Sequence, residues 1–125
     1  MEATGRSELV SRFNNCINRR DLEGLVGLMT DDHTFVDSAG GKCEGRESCQ
    51  AAWRGFFKAF PDYRNEFKLL VERDDIVAAL GRSHCSDPRL AGPAIWVGMI
   101  SGELLSEWRV YDDTPQTRRR LGIGG

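Results

Sequence analysis

A histidine and a carboxylate in the last third of the chain have the side-chain types that proton transfer requires. His84 ends the stretch 81–84 (Gly-Arg-Ser-His), and Asp112 follows the mixed apolar and polar stretch 104–111. A carboxyl group in an apolar cup has its pKa raised toward neutral pH by desolvation, as general acid–base catalysis requires. If both side chains line one buried pocket, we expect them to share a proton.

Strand periodicity decides whether Asp112 reaches such a pocket. Alternate residues of a strand share a face, so Leu104, Trp108 and Asp112 point to the same side. If Leu104 faces the pocket, Asp112 faces it too, at the end of the strand. Two alternatives stay open, because aspartate is common in turns: Asp112 caps a turn before Pro115, or a bulge turns Asp113 inward instead.

The composition is that of an ordinary globular domain. The chain has 125 residues, of which 40% are hydrophobic and 29% charged, and a single domain spanning 1–125 is expected. The net charge of −2 gives no electrostatic footprint for nucleic acid, and the one basic run, 118–120, is interpreted as a solvated helix end. No apolar stretch approaches the roughly 18 residues of a membrane span. We therefore expect neither a nucleic-acid nor a membrane partner.

The four cysteines indicate neither a metal site nor a disulfide framework. They stand at Cys16, Cys43, Cys49 and Cys85 and form no Cys-x-x-Cys pair, so no zinc site is expected. No apolar leader follows the first residue, which argues against secretion. Free thiols in a reducing cytoplasm, and hence a cytoplasmic location, are the expectation.

Apolar periodicity predicts an α+β domain. Three helices are predicted at 7–20, at 21–29 and from 44–48 to Phe60. Five strands are predicted at 33–37, 63–72, 76–85, 94–100 and 104–111. The expected architecture is a curved antiparallel sheet with helices covering one face.

The order of these elements and their residues is similar to the SnoaL-like polyketide cyclase group of the nuclear-transport-factor-2-like (ketosteroid-isomerase-like) superfamily. The resemblance covers nearly the whole chain. The matching residues are Asp31-Asp32, Gly45-Arg46-Glu47, Phe60-Pro61-Asp62-Tyr63, Ser83-His84, Gly102, Leu104, Glu107-Trp108, Asp112 and Arg120-Leu121-Gly122. The resemblance implies a cone in which the bent sheet and three helices enclose one apolar pocket. It also implies a homodimer formed through the sheet and no cofactor, while the ends 1–6 and 122–125 are expected to be flexible.

The resemblance assigns roles to three polar side chains. In SnoaL-like cyclases the aspartate that matches Asp112 is the general acid–base of an intramolecular aldol closure, and the histidine that matches His84 neighbours it. Ketosteroid isomerases carry their general base at the position of Asp37. The structural alternatives are that His84 only supports the strand and that Asp37 caps the strand end before Gly40.

Six further residues are expected to contact a ligand or to back the cavity. They are Trp53, Phe57, Trp96, Trp108, Phe13 and Arg82. Phe13 and Trp96 stand where ketosteroid isomerases have oxyanion donors; phenylalanine has no donor, so that mechanism is disfavoured. Arg82, His84 and Asp112 do not reproduce the Asp-Arg-Asp set of the epoxide-hydrolase branch, which is kept as a minor option.

Three hypotheses follow for function. The first is a cofactor-free cyclase- or isomerase-type enzyme that acts on an apolar carbonyl compound through Asp112, His84 and Asp37. The alternative is a non-catalytic small-molecule binder or a dimerising accessory domain, which the short connection at 86–93 favours. A protein-binding module of the transport-factor kind is a third possibility, because one superfamily hosts unrelated functions.

Overall fold

The computed structural model describes residues 5–123, which form four helices and a six-stranded sheet. The elements are α1 (Gly5–Arg19), α2 (Leu22–Gly27), β1 (Met29–Val36), β2 (Lys42–Glu44), α3 (Arg46–Ala59), β3 (Arg64–Arg73), β4 (Ile76–His84), β5 (Gly92–Ser101), β6 (Leu104–Asp112) and α4 (Pro115–Leu121). The strand order is β2-β1-β6-β5-β4-β3. Every neighbouring pair is antiparallel except β1 and β6. The α+β prediction with a curved, mostly antiparallel sheet is confirmed.

The two faces of the sheet bury different residues. On the face that packs against α1 and α3, here called the inner face, Val77, Ala79 and Trp96 belong to the main core. On the opposite, outer face, Ala78 and Ile95 pack with Ile123 and other residues in a second, smaller cluster. Alternation along β4 and β5 therefore separates side chains that face the helices from side chains that do not.

A bulge in β6 corrects the expected alternation. Ile100 pairs with Leu105 whereas Met99 pairs with Glu107, so Ser106 is an extra residue on β6. A bulge of this kind shifts the parity of a strand by one. Leu105, and not Leu104, is therefore fully buried before the bulge, and Trp108 is buried after it.

A fourth helix, α4, follows β6 and was not among the three predicted helices. The hydroxyl of Thr114 accepts a hydrogen bond from the Thr117 N–H at 3.1 Å and caps α4, and Gly122 ends the helix in the left-handed conformation. The basic run 118–120 forms the last turn of α4. The predicted flexible ends at 1–4 and 124–125 lie outside the described residues, whereas Arg6 lies in α1 and Ile123 is buried.

Element boundaries differ elsewhere by a few residues. The second helix ends at Gly27 instead of Met29, and β1 begins at Met29, four residues before the predicted strand. Asp21 caps α2 as expected, accepting a hydrogen bond from the Gly24 N–H at 3.0 Å. Among residues 5–123, no helix is both long enough and apolar enough to cross a membrane.

Candidate functional site

A cavity of about 370 Å³ lies between the inner face of the sheet and α3. Its aromatic walls are formed by Phe35, Trp53, Phe56, Tyr63, Trp96 and Trp108. Exposed residues at its mouth include Ser38, Arg89, Pro93 and Asp112. The volume falls within the roughly 300–1,000 Å³ range of small-molecule sites, and apolar walls with a few polar groups are typical of them.

The expected ligand-contacting aromatic residues fall into two groups. Trp53, Trp96 and Trp108 line the cavity. Phe13 lies behind Trp108, at 4.6 Å between ring centroids, and Phe57 lies behind Trp53, at 5.6 Å. Phe13 and Phe57 therefore hold the tryptophan walls in place, and the structure does not put them on the surface of the cavity.

Asp112 lines the mouth of the cavity, whereas Leu104, from which the alternation was counted, does not, because the bulge at Ser106 lies between them. It follows Trp108 and Val110 along one face of β6, and all three line the cavity. The carboxylate of Asp112 makes no hydrogen bond or ion pair with another described residue. Asp113 points elsewhere: Arg118 donates to both of its carboxylate oxygens, at 2.7 and 2.8 Å, and these bonds lower the pKa of Asp113. The carboxylate of Asp112 therefore lies at the cavity, and that of Asp113 does not.

Asp37 also lines the cavity, and it holds a turn as well. Its Oδ1 accepts hydrogen bonds from the backbone N–H groups of Ala39 and Gly41, at 2.9 and 2.7 Å. This is the strand-end capping arrangement that was left open for Asp37, and it is common for aspartate in turns. One carboxylate oxygen is thus committed to the backbone.

His84 and Arg82 lie on the outer face, which corrects the expected site. Ser83, between them, is buried and lines the cavity, so alternation points both of its neighbours away from it. The Nε2 atom of His84 lies 3.0 Å from Oε1 of Glu66, and this contact lowers the pKa of Glu66. His84 and Asp112 are therefore not brought together, and Arg82 does not contact the cavity.

A pair of hydroxyl groups that sequence reasoning did not single out lies in the cavity wall. The Tyr63 and Ser83 side chains both line the cavity, are 8% and 6% exposed, and place their oxygens 3.2 Å apart. The Ser83 hydroxyl donates to Oδ1 of Asn65 at 2.9 Å. Burial raises the pKa of Tyr63, while hydrogen bonds with Ser83, Asn65 and Trp96 act in the opposite direction. Tyr63 is therefore a neutral hydrogen-bond donor near neutral pH.

The backbone of β3 holds this pair in position. Asn18 of α1 donates to the Asn65 carbonyl at 2.9 Å, and its own Oδ1 accepts from the Asn65 N–H at 2.8 Å. The Tyr63 ring packs edge-on against Phe56, with centroids 4.8 Å apart. Tyr63 and Ser83 both belong to motifs quoted above, but the inward parity that Ser83 shares with Val77 and Ala79 has no sequence signal, because residues 76–80 are apolar on both faces.

A second titratable group is buried outside the cavity. His33 is fully buried, and its Nδ1–H donates to the Leu105 carbonyl at 2.7 Å. Its Nε2 has no partner among the described residues. Burial is the main cause of the lowered pKa of His33, and a neutral ring is expected because a buried charge without a partner is costly.

The loop after β4 forms part of the mouth. Asp62 accepts a hydrogen bond from the Ser86 N–H at 2.9 Å, and Arg89 donates to Asp87 at 2.6 and 3.0 Å. The hydrogen bonds from Arg89 lower the pKa of Asp87 to about 2. Among residues 5–123, no group of three or more His, Cys, Asp or Glu side chains is placed to hold a metal ion.

Comparison with known sequences identifies one matching family model. The model of the SnoaL-like domain matches residues 10–119, which is most of the chain. No protein with a curated description matches the sequence.

Solved structures share this fold at low sequence identity. A candidate SnoaL-like polyketide cyclase from Shewanella denitrificans is 15% identical, with a TM-score of 0.79, and the match covers 98% of this chain and 100% of that one. TerC, co-crystallised with polyporic acid, is 15% identical, with a TM-score of 0.76 and coverage of 95% and 99%. An NTF2-like protein of unknown function from Burkholderia pseudomallei is 16% identical, with a TM-score of 0.75 and coverage of 94% and 97%. At such identities the likeness establishes the fold alone.

Proposed function

Because the chain belongs to the SnoaL-like domain family, we propose that it binds an apolar carbonyl compound in its cavity and transfers a proton on it without a cofactor. The observation that carries the proposal is the carboxylate of Asp112 at the mouth of an aromatic-walled cavity. Apolar walls bind the body of such a compound, and a carboxylate beside them can remove a proton from carbon. A relative of the same fold, TerC, was crystallised with polyporic acid, which supports a small-molecule ligand for this cavity too.

The proposed chemistry balances with Asp112 alone as the proton carrier. Its carboxylate takes a proton from the carbon next to the carbonyl, and the C–H electron pair moves onto the carbonyl to form an enolate. In a cyclisation, the enolate carbon attacks a second carbonyl of the same molecule, a C–C bond forms, and the new alkoxide takes the proton back from Asp112. In an isomerisation, the proton returns to a different carbon. Either route restores the carboxylate.

Asp37 is proposed as an auxiliary polar group at the mouth. One of its oxygens is bound to the turn at Ala39 and Gly41, which fixes the side chain beside the cavity. His84 has no part in the proposal, because its imidazole is bound to Glu66 on the outer face.

The test uses 2-tetralone, an apolar bicyclic ketone with an acidic C–H next to its carbonyl. Proton NMR in D₂O follows deuterium exchange at that carbon in the presence of the protein. We expect the wild type to accelerate exchange and Asp112→Asn to slow it by about 100-fold, the lower part of the range for general-base catalysis. Asp113→Asn is the matched control, since that neighbouring carboxylate binds Arg118 and lies off the cavity. Equal exchange in the wild type and Asp112→Asn contradicts the proposal.

A second candidate function is ligand binding without catalysis. The observation that favours it is that Asp112 has no described partner to orient its carboxylate, and that His84 lies on the other face of the sheet. Catalytic carboxylates are commonly held by a second group. In the same experiment, this function gives tight binding of 2-tetralone with no accelerated exchange in any variant.

A further inference from the structure

The hydroxyl pair formed by Tyr63 and Ser83 is the most unusual polar feature of the cavity wall. Both groups are buried, and their oxygens lie 3.2 Å apart. O–H···O hydrogen bonds are commonly about 2.7–2.8 Å long, so this one is long and weak. Its hydrogen can therefore turn to a better acceptor inside the cavity without the movement of any heavy atom.

The neighbouring groups decide which hydroxyl is available to a ligand. The Ser83 hydrogen is committed to Oδ1 of Asn65 at 2.9 Å. The Tyr63 oxygen has the Trp96 side chain as a further hydrogen-bond partner, and its ring is held by Phe56. The Tyr63 hydrogen is thus the donor that is held least firmly, and burial keeps that hydroxyl protonated.

The position of the pair suits a ligand that also reaches Asp112. Ser83 pairs with Gly92 on β5, and Asp112 pairs with Ala94 on the same strand. Ser83 and Asp112 are therefore separated by two strand spacings across the sheet and by two residues along it, about 12 Å of backbone. Both groups line the same cavity, so a ligand that contacts the two has to span this part of it.

We propose that Tyr63 donates a hydrogen bond to the ligand's carbonyl oxygen, with Ser83 positioning it, so that the cavity selects neutral ketones over hydrocarbons of the same shape. This inference rests on the proposed function, because it assumes a carbonyl-bearing ligand in the same cavity. When Asp112 takes the proton from the adjacent carbon, negative charge moves to the carbonyl oxygen. A donor already directed at that oxygen stabilises the enolate.

The test compares two probes of similar shape, 2-tetralone and tetralin, which differ by the carbonyl oxygen. Binding is measured by quenching of tryptophan fluorescence, since Trp53, Trp96 and Trp108 line the cavity. We expect Tyr63→Phe to weaken 2-tetralone binding about three- to tenfold, the effect of one hydrogen bond, and to leave tetralin binding unchanged. The carbonyl stretching band of bound 2-tetralone should lie at lower wavenumber in the wild type than in Tyr63→Phe.

The control is Tyr111→Phe, which removes the hydroxyl of a tyrosine whose side chain packs against the outer-face cluster with Ala78 and Ile95. It should leave both affinities and the carbonyl band unchanged. Ser83→Ala is the second variant and should lose part of the selectivity for 2-tetralone. If both probes bind but neither Tyr63→Phe nor Ser83→Ala changes the preference or the band, this inference is wrong while ligand binding stands. If neither probe binds the wild type, the proposed function itself is wrong, and this inference with it.

Discussion

Ser83 and His84 are neighbours in β4, yet they lie on opposite sides of the sheet. The Ser83 hydroxyl is 2.9 Å from Oδ1 of Asn65 in the wall of the cavity, and the His84 imidazole is 3.0 Å from Glu66 on the outer face. A one-residue step in a strand exchanges the two faces. The polar group that this part of β4 gives to the cavity is therefore a hydroxyl and not an imidazole.

Replacing His84 by alanine should leave the cavity intact. The His84–Glu66 pair is half-exposed, and exposed ion pairs contribute about 0–1 kcal/mol, so little stability is lost either. We expect 2-tetralone affinity and the rate of deuterium exchange in His84→Ala to stay within about twofold of the wild type. Fluorescence titration measures the affinity and NMR measures the exchange rate. A loss of exchange comparable to that in Asp112→Asn would contradict this prediction and show that His84 takes part in the reaction.

Strand alternation relates Asp112 correctly to Trp108 but not to Leu104, and it did not reveal that His84 lies on the outer face. Around Trp108 and Val110, apolar and polar residues alternate, so the parity of β6 can be read after its bulge. In β4, residues 76–80 are all apolar because the outer face is also covered, by Ile123 among others. A strand buried on both faces carries no parity signal.

The Tyr63–Ser83 pair could not be predicted from either residue alone. Their contact joins positions 20 residues apart and depends on the register of β3 and β4, which shifts between Phe67 and Leu69. A bulge of this kind is decided by local packing and leaves only a weak trace in the sequence. By contrast, Thr114 and Pro115 carried the signals for the start of α4, and the fold itself followed from the order of the periodic segments.

The outer face is proposed as the dimer interface. Leu69 and Met99 are 53% and 37% exposed, and both pair across strands with outer-face residues, Leu80 and Ile76 respectively. Contact with a second copy through this face would remove both side chains from water. We expect Leu69→Asp to shift the protein from dimer to monomer in sedimentation velocity. Lys68→Asp, a charge change on a neighbouring residue of β3, is the control, and a monomeric wild type at micromolar concentration would contradict the proposal.

The free energy of unfolding should decrease as the pH is lowered, because His33 is buried without a charge partner. Its pKa is lowered in the native state, whereas the unfolded chain titrates near about 6.5. Above that pH both states are neutral, and below it only the unfolded state takes up the proton. The free energy of unfolding should therefore decrease as the pH falls below about 6.5, by at most about 1.4 kcal/mol per pH unit, until native His33 is itself protonated.

Urea unfolding at pH 7.5 and 5.5 measures this dependence. The His33→Asn variant is less stable, because it leaves a cavity, but its stability should be nearly constant between the two pH values. The carboxylates with lowered pKa, such as Asp87 at about 2, lose their charge at more acidic pH and do not contribute here. A wild-type stability that is equal at both pH values would show that native His33 accepts a proton freely.

Alanine at Gly81 should be among the most damaging of small substitutions in the sheet. A β-carbon at this position would overlap the Glu66 carbonyl oxygen and come within 3.0 Å of the Phe67 Cα, so β3 would have to move. Overpacking against backbone costs about 1–3 kcal/mol, and here the strand that moves carries Asn65, the partner of Ser83. We therefore expect Gly81→Ala to lower the free energy of unfolding by about 3 kcal/mol and to reduce the preference for 2-tetralone over tetralin.

Gly55→Ala is the matched control: the position in α3 is exposed, nothing lies within 4 Å, and alanine should stabilise the helix by about 0.5–1 kcal/mol. Urea unfolding of both variants decides the matter, and a Gly81→Ala protein as stable as the wild type would mean that β3 and β4 do not approach as closely as this register requires.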